Sequence, residues 1–269
     1  MDQLAHDALD SDKPGASLAD AHVLAPLQPP TIRDFVCFLD HMRNATATPE
    51  LAEAWNETPA FYFTNPYATL GPNDPVPIPL GSTMFDFELE VGAVIGREGS
   101  NLHPDQAGSH IAGYLIFCDW SARDIQFHES NFGLGPAKAK DSSTTIGPMF
   151  VSADELEPYH SGKGFSLAMR AYINGVEVTS GSLDQLDWSF AEIAAYASRG
   201  THIQPGDVLG SGTVPGGCLL EHAMTHGDDF RGWLQPDDTV RLEVELLGTL
   251  EMSVTAGADA HPTRETPPA

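Results

Sequence analysis

Between Asp86 and Ile95 the chain reads Asp-Phe-Glu-Leu-Glu-Val-Gly-Ala-Val-Ile, a hydrophobic segment whose first alternate positions are acidic. Successive side chains of a strand point to opposite faces, so Asp86, Glu88 and Glu90 share one face while Phe87, Leu89 and Val91 share the other. Carboxylates two residues apart on a strand lie roughly 7 Å from each other. At an effective dielectric of about 20, that is about 2.4 kcal/mol of repulsion per pair. A bound cation would remove the repulsion; a solvated face on an acidic protein is the other reading of the same pattern.

Three further places could carry chemistry. Ala112 to Cys118 is a nearly continuous apolar run that fits a strand buried on both faces, and it delivers Asp119 at its C-terminal end. The segment Gly133 to Thr145 is rich in Gly, Ser and Thr and carries Lys138 and Lys140. It suits recognition of an anionic or enolate oxygen and equally suits an ordinary loop. His41 falls in a run with Thr31 as N-cap, Asp34 three residues on, and Ile32, Phe35, Phe38, Leu39 and Met42 at helical spacing. On that helix His41 leans toward the apolar side, where a packed core histidine and a catalytic one look alike.

The elements that must position these residues are legible in outline. Short helices are expected over 48–57 and 104–110, a strand at Phe61 to Phe63, and a helix opening after Asp119. Asn174-Gly175 is the pair of a type I′ hairpin. Ser189 and Glu192 form a capping box for a helix from Phe190 to Ser198, closed by Gly200. Gln204-Pro-Gly-Asp and Gln235-Pro-Asp-Asp are turns that each feed a strand. Between them Gly210 to Gly217 is a glycine-rich turn, read as no dinucleotide site because the preceding strand is short and no helix is expected behind it.

Thirteen basic against 38 acidic residues give a formal charge of -25, which argues against nucleic acid or an anionic membrane as a partner. Cys37, Cys118 and Cys218 are odd in number and widely separated, so neither a disulfide framework nor a thiolate zinc site is indicated. No apolar run reaches the roughly 18 residues of a membrane span, and the N-terminus lacks signal-peptide regions. A soluble, cytoplasmic protein is expected. Residues 1–30 read as an arm or cap, 31–255 as one folded domain, and 256–269 as a disordered tail.

Taken together these pieces resemble the fumarylacetoacetate hydrolase family, from about Thr31 to Val254. The motifs are Phe-Glu-Leu-Glu at 87–90, Asp-Trp-Ser-Ala-Arg-Asp-Ile-Gln at 119–126, Gly-Pro with Lys-Asp-Ser-Ser-Thr-Thr over 135–145, and Gly-Ser-Gly-Thr at 210–213, in that order. The resemblance implies an α+β fold, a mostly antiparallel mixed β-roll with peripheral helices, in a homodimer. It implies one Mg or Ca ion held by Glu88, Glu90 and Asp119, with Asp86 open as an outer partner. Some members add an aspartate from the first helix; the corresponding position here is Cys37, so three carboxylates and more water are expected.

The resemblance further implies His41 as the water-activating base. Smaller members pair it with a glutamate three residues on, here Asn44; larger hydrolases use a Leu-Glu after the glycine-rich turn, here Leu220-Glu221. The pair His41 and Glu221 is therefore expected, with Lys140, Gln126, Thr213 and Thr144 around the substrate. The implied reaction is hydrolysis of a carbon-carbon bond in a 1,3-dicarbonyl or acylpyruvate-type keto acid or diketone through an enolate. Decarboxylation, isomerisation or tautomerisation of a 2-oxo or β-keto acid shares that enolate and needs no attacking water. A non-catalytic binding protein on the same fold is disfavoured by the intact carboxylates and Lys140.

Overall fold

Two sheets carry the alternating segments. A computed structural model describes residues 17, 21–47, 53–133, 135–259 and 261–264. In chain order its strands are β1 Ile32–Phe35, β2 Phe61–Thr64, β3 Thr69–Leu70, β4 Val76–Pro77, β5 Phe85–Asp86, β6 Leu89–Ile95, β7 Ile111–Asp119 and β8 Ser121–Ala122. They continue with β9 Thr144–Ser152, β10 His160–Ser161, β11 Gly164–Phe165, β12 Ala168–Ile173, β13 Val176–Ser182, β14 Val208–Gly210, β15 Thr239–Val244 and β16 Gly248–Thr255. A seven-stranded sheet runs β2-β1-β14-β6-β7-β9-β3 and a five-stranded one β13-β12-β15-β16-β4. Among the described strands only β1/β14, β3/β9 and β4/β16 pair in parallel, so the described sheets are mixed and mostly antiparallel.

The larger core gathers Leu89, Val91, Ile116 and Trp120 from the first sheet with Met169, Leu242 and Leu250 from the second, and the helix Phe190–Ala197 adds Ile193. A smaller cluster, Ile32, Val94, Leu115, Phe117, Ile146 and Val208, is covered by Ala25 and Leu27. The central strands β6 and β7 are thus buried on both faces, which is why they read as continuous apolar runs. A sheet buried on both faces is a rigid base for the acids along its strands. Among the described residues, no helix is long and apolar enough to cross a membrane.

Several expected elements form as read. The helix Pro104–Ala107, the helix Arg123–Ser130, the Asn174-Gly175 turn and the Ser189/Glu192 capping box are all present. Both turn residues of the hairpin have positive φ, 52° and 78°, as a type I′ turn requires. The helix expected over 48–57 is described only from Ala54 to Glu57, since 48–52 lie outside the described residues, as does most of the arm.

Three expectations are corrected. Thr31 caps no helix: Ile32–Phe35 is strand β1, buried throughout, and the helix spans Leu39–Thr46. A four-residue strand with apolar ends has the same i, i+3 spacing as one helical turn, so periodicity alone could not separate them. The Thr31 hydroxyl instead donates to Asp207 Oδ1 at 2.8 Å. Second, the acidic segment is not one strand: Phe85–Asp86 pairs with Ser121–Ala122, and β6 starts only at Leu89. Third, a helix does open behind the glycine-rich turn, Leu219–His226. Its cap is not local, for the Cys218 side chain caps no backbone amide; the Asp86 carboxylate accepts from Leu219 N and Leu220 N at 2.7 and 2.9 Å. A negative charge at the exposed amides of a helix start is favourable, and here it comes from far away in the chain.

Candidate active site

Asp34 on β1, Glu88 just before β6, Glu90 on β6 and Asp119 at the end of β7 meet where neighbouring strands of one sheet lie side by side. Carboxylate oxygens of Asp34, Glu88 and Glu90 lie within 4.8 Å of one another. Asp119 joins them through shared donors: the Tyr62 hydroxyl reaches both Asp34 Oδ2, at 2.8 Å, and Asp119, and Lys140 Nζ reaches Glu88 Oε2, at 2.7 Å, and Asp119. Asp34 is the residue that the sequence reading missed, because it was assigned to a helix cap. Read as a strand, Ile32 and Asp34 share one face and Arg33 and Phe35 the other, so no alternation of apolar and polar residues marks it. Cys37, the position taken to lack a fourth acid, is a core residue with no exposure.

The glycines of the turn after β14 let the chain press against these acids. A Cβ at Gly210 would stand 2.3 Å from Asp34 Oδ1 and 3.1 Å from Glu90 Oε2. Gly212, at φ +76°, donates its N–H to Glu90 Oε2 at 2.9 Å. Thr213 Oγ1 stands 3.5 Å from Glu90 Oε1.

The electrostatics of the cluster are lopsided. Burial pushes the Asp34 carboxyl up to about 6, outweighing its hydrogen bonds to Glu90 and Tyr62 and the nearby Lys140 ammonium. Burial, with the neighbouring Asp34 and Glu88 charges, drives Glu90 well above the carboxylate range. Asp119 is likewise raised, chiefly by burial, despite Lys140. Glu88 alone goes down: burial opposes its charge, but the Lys140 and Arg123 cations on either side prevail. Asp34 Oδ1 and Asp119 Oδ1 are buried and accept from no donor. Buried acceptors in that state, on acids that would otherwise take up protons, call for a cation between them. The donor set is oxygen only, which fits a hard divalent ion.

Asp86 does not face this cluster. Besides capping the helix Leu219–His226, it accepts from Arg123 Nε at 2.8 Å, and Arg123 Nη2 donates to Glu88 Oε1 at 2.6 Å. Arg123 is buried, so this chain of charges ties the acid cluster to the helix that carries Glu221.

On that helix Glu221 meets His41 across 180 positions of sequence: Nδ1 and Oε1 are 2.7 Å apart and both residues are buried. Glu221 Oε2 accepts from Asn44 Nδ2 at 2.8 Å and Gly216 N at 2.9 Å. Asn44 thus serves as a donor that holds the carboxylate. A carboxylate held by donors on every side accepts from Nδ1–H, so the Nε2 lone pair is the basic one. The helix Leu39–Thr46 packs on the helix Leu219–His226, which brings the pair together.

His41, Asp34, Glu88, Glu90 and Lys140 line one cavity of about 490 Å³, together with Gln126 and Thr213. Gln126 Oε1 accepts from Arg123 Nη1 at 2.9 Å, which leaves its NH₂ group as the donor end. Thr144, opposite Asp119 on β9, is buried with no partner for its hydroxyl and does not reach the cavity wall. Lys138 is exposed and bonds Asp141 at 2.5 Å, whereas Lys140 is 3% exposed. The Glu129 carboxylate accepts from the amides of Ala137, Lys138 and Ala139 and so holds the loop that carries Lys140.

Comparison with known proteins agrees with this geometry. A family model described as fumarylacetoacetate hydrolase C-terminal matches residues 31–255. A mitochondrial oxaloacetate tautomerase of Xenopus laevis is 28% identical, over 94% of this chain and 74% of its own length. A 2,4-didehydro-3-deoxy-L-rhamnonate hydrolase of a Sphingomonas species is 31% identical, over 69% of this chain and 61% of its own. The solved 5-carboxymethyl-2-hydroxymuconate delta-isomerase of Mycobacterium smegmatis superposes with a TM-score of 0.71 at 27% identity, covering 91% of this chain and 87% of that one. These relatives include a tautomerase, a hydrolase and an isomerase, and the solved isomerase shares the mixed α+β roll described above. With its fold, its motifs and the family model in agreement over the same span, the chain belongs to the fumarylacetoacetate hydrolase family.

Proposed function

We propose that this protein is a divalent-metal-dependent hydrolase that cleaves a carbon-carbon bond in an acylpyruvate-type or other 1,3-dicarbonyl substrate. The observation that carries the proposal is His41, on the wall of the cavity that Asp34, Glu88 and Glu90 line, paired with the buried Glu221. Attack by water needs a buried, oriented base, which decarboxylation at a chelating ion does not; tautomerisation would turn the same base on a carbon-bound proton.

Glu88, Glu90 and Asp119, joined by Asp34, are the residues that would hold the ion, with Mg, Ca or Mn as candidates. When bound, the ion would polarise a chelating carbonyl and take up negative charge that develops on the substrate. Glu221, held by Asn44 and Gly216, orients His41 so that Nε2 takes a proton from water as the water adds to the carbonyl remote from the carboxylate. The bond between that carbon and its neighbour then breaks. Its electron pair leaves with the 2-oxo acid fragment, which is protonated there, and the other fragment departs as a carboxylic acid. Two of the three Lys140 donors are engaged by Glu88 and Asp119; the third, with the Gln126 NH₂ group, faces an oxyanion. Thr213 borders the substrate, and Thr144 pairs with Asp119 from the adjacent strand β9. The same reading takes the protein as a cytoplasmic homodimer, supported by its three free cysteines for the location and by the family resemblance for the dimer.

Tautomerisation is the second reading, favoured by the similarity to the Xenopus enzyme. The test is product analysis: protein with Mg, Mn or Ca is incubated with acylpyruvates, a fumarylacetoacetate analogue and oxaloacetate. Pyruvate plus a carboxylic acid supports hydrolysis. Enol–keto interconversion or CO₂ release without cleavage would refute it.

A further inference from the structure

The cavity wall carries information about the substrate arm that lies beyond the chelating oxygens. Its described basic residues are Arg123, Lys140 and His41, and each is committed, Lys140 with two donors on the acids and its third assigned to the oxyanion. Arg123 bonds Asp86, Gln126 and Glu88; Lys140 bonds Glu88 and Asp119; His41 bonds Glu221. Much of the remaining wall is apolar: Val36, Met42, Ala45, Phe61, Phe127 and Pro136. A second carboxylate on the substrate would enter this space with no described cation to meet it and with the acid cluster as its neighbour. An anion buried without a partner is strongly disfavoured. The charge of -25 on the chain adds repulsion during approach, which falls harder on a dianion than on a monoanion. An alkyl or aryl arm finds the opposite conditions, and each methylene buried there strengthens binding by about fourfold. A volume of about 490 Å³ leaves room for such an arm, since ligand sites of this kind span roughly 300–1,000 Å³.

We infer that the substrate is a monoanion, a 2,4-dioxo acid whose only carboxylate is at the chelating end and whose acyl arm is uncharged and apolar. The inference rests on the reading of the site as one for acylpyruvate-type substrates, and it adds selection against dicarboxylates. Oxaloacetate would then be a poor substrate.

The test uses 2,4-dioxononanoate and the same chain ending in a carboxylate, with Mg-loaded full-length protein. Both kcat/KM for cleavage and affinity by titration calorimetry are measured. The expected result is a preference of about 10²-fold or more for the monocarboxylate in affinity, and in kcat/KM if cleavage occurs. Met42→Arg, or Ala45→Arg if the first variant does not fold, supplies the missing cation and shifts the ratio toward the dicarboxylate by about tenfold or more. Equal or reversed affinity of the wild type for the two acids overturns the inference while leaving hydrolysis standing. Preferential binding of the monocarboxylate without cleavage keeps the inference and refutes the reaction. Binding of neither acid overturns both.

Discussion

The acid cluster and the His41–Glu221 pair share one cavity, yet their polar groups are satisfied in opposite ways. Asp34, Glu90 and Asp119 are crowded, pushed toward protonation, and keep two oxygens without donors. Glu221 has donors on both oxygens, from His41 on one and from Asn44 and Gly216 on the other. A buried group left wanting a partner marks where something from outside must bind, whereas a saturated one marks a device that only has to hold its geometry. On the proposed reading the cluster is a receptor for an ion and the pair is a finished piece of machinery.

The largest break in this contrast comes from removing acid from the receptor. Glu90→Gln and Glu88→Gln are expected to abolish divalent-ion binding measured by calorimetry, and turnover with it, while leaving the protein folded by circular dichroism. Persistent tight binding in both variants would mean that the ion sits elsewhere. Lys140→Ala should lower turnover by about 10² or more, because it removes an oxyanion donor. Lys138→Ala, on an exposed side chain paired with Asp141, should change it by less than about twofold. Equal effects would show that the loop has been assigned the wrong lysine.

Gly210→Ala tests the cluster without touching a carboxylate. Its new methyl group would meet Asp34 Oδ1 at 2.3 Å, so ion affinity should fall by about tenfold or more while the His41–Glu221 pair is undisturbed. Unchanged affinity would show that the acids can move aside.

The pH dependence follows from Asp34. Its carboxyl is raised from 3.8 to about 6, so its contribution to stability is full below about pH 4 and is lost as pH rises through about 6 in the ion-free protein. A divalent ion competes with that proton. The gain in Tm on adding Mg should therefore be larger at pH 8 than at pH 5, and an equal gain at both would contradict the assignment. On the other side of the comparison, Asn44→Ala removes one donor to a charged acceptor, a loss of about 1.5 kcal/mol or about tenfold in kcat. Ion affinity should stay unchanged.

What the sequence revealed was mostly local. The β6 and β7 runs, the Asn174-Gly175 turn and the Ser189/Glu192 box are set by neighbours within a few residues, and they form as read. Glu88, Glu90, Asp119 and Lys140 stood out because acids and lysines are unusual in those settings, and the structure brings them together. What stayed hidden depends on contacts distant in sequence. Asp34 was misread because one strand and one helical turn share a spacing. The helix Leu219–His226 was missed because its cap, Asp86, lies 133 residues earlier. Asp86 itself looked like a third member of the acid face because the break between β5 and β6 leaves no mark in the alternation.

The central proposal, that His41 activates water beside an ion it does not hold, is tested most directly by His41→Ala measured twice on the same preparation. Divalent-ion affinity should stay within about twofold of wild type, while cleavage of an acylpyruvate falls by something on the order of 10² to 10⁴. Intact turnover of the true substrate in His41→Ala would contradict the account and make decarboxylation at the ion, which needs no base, the better description.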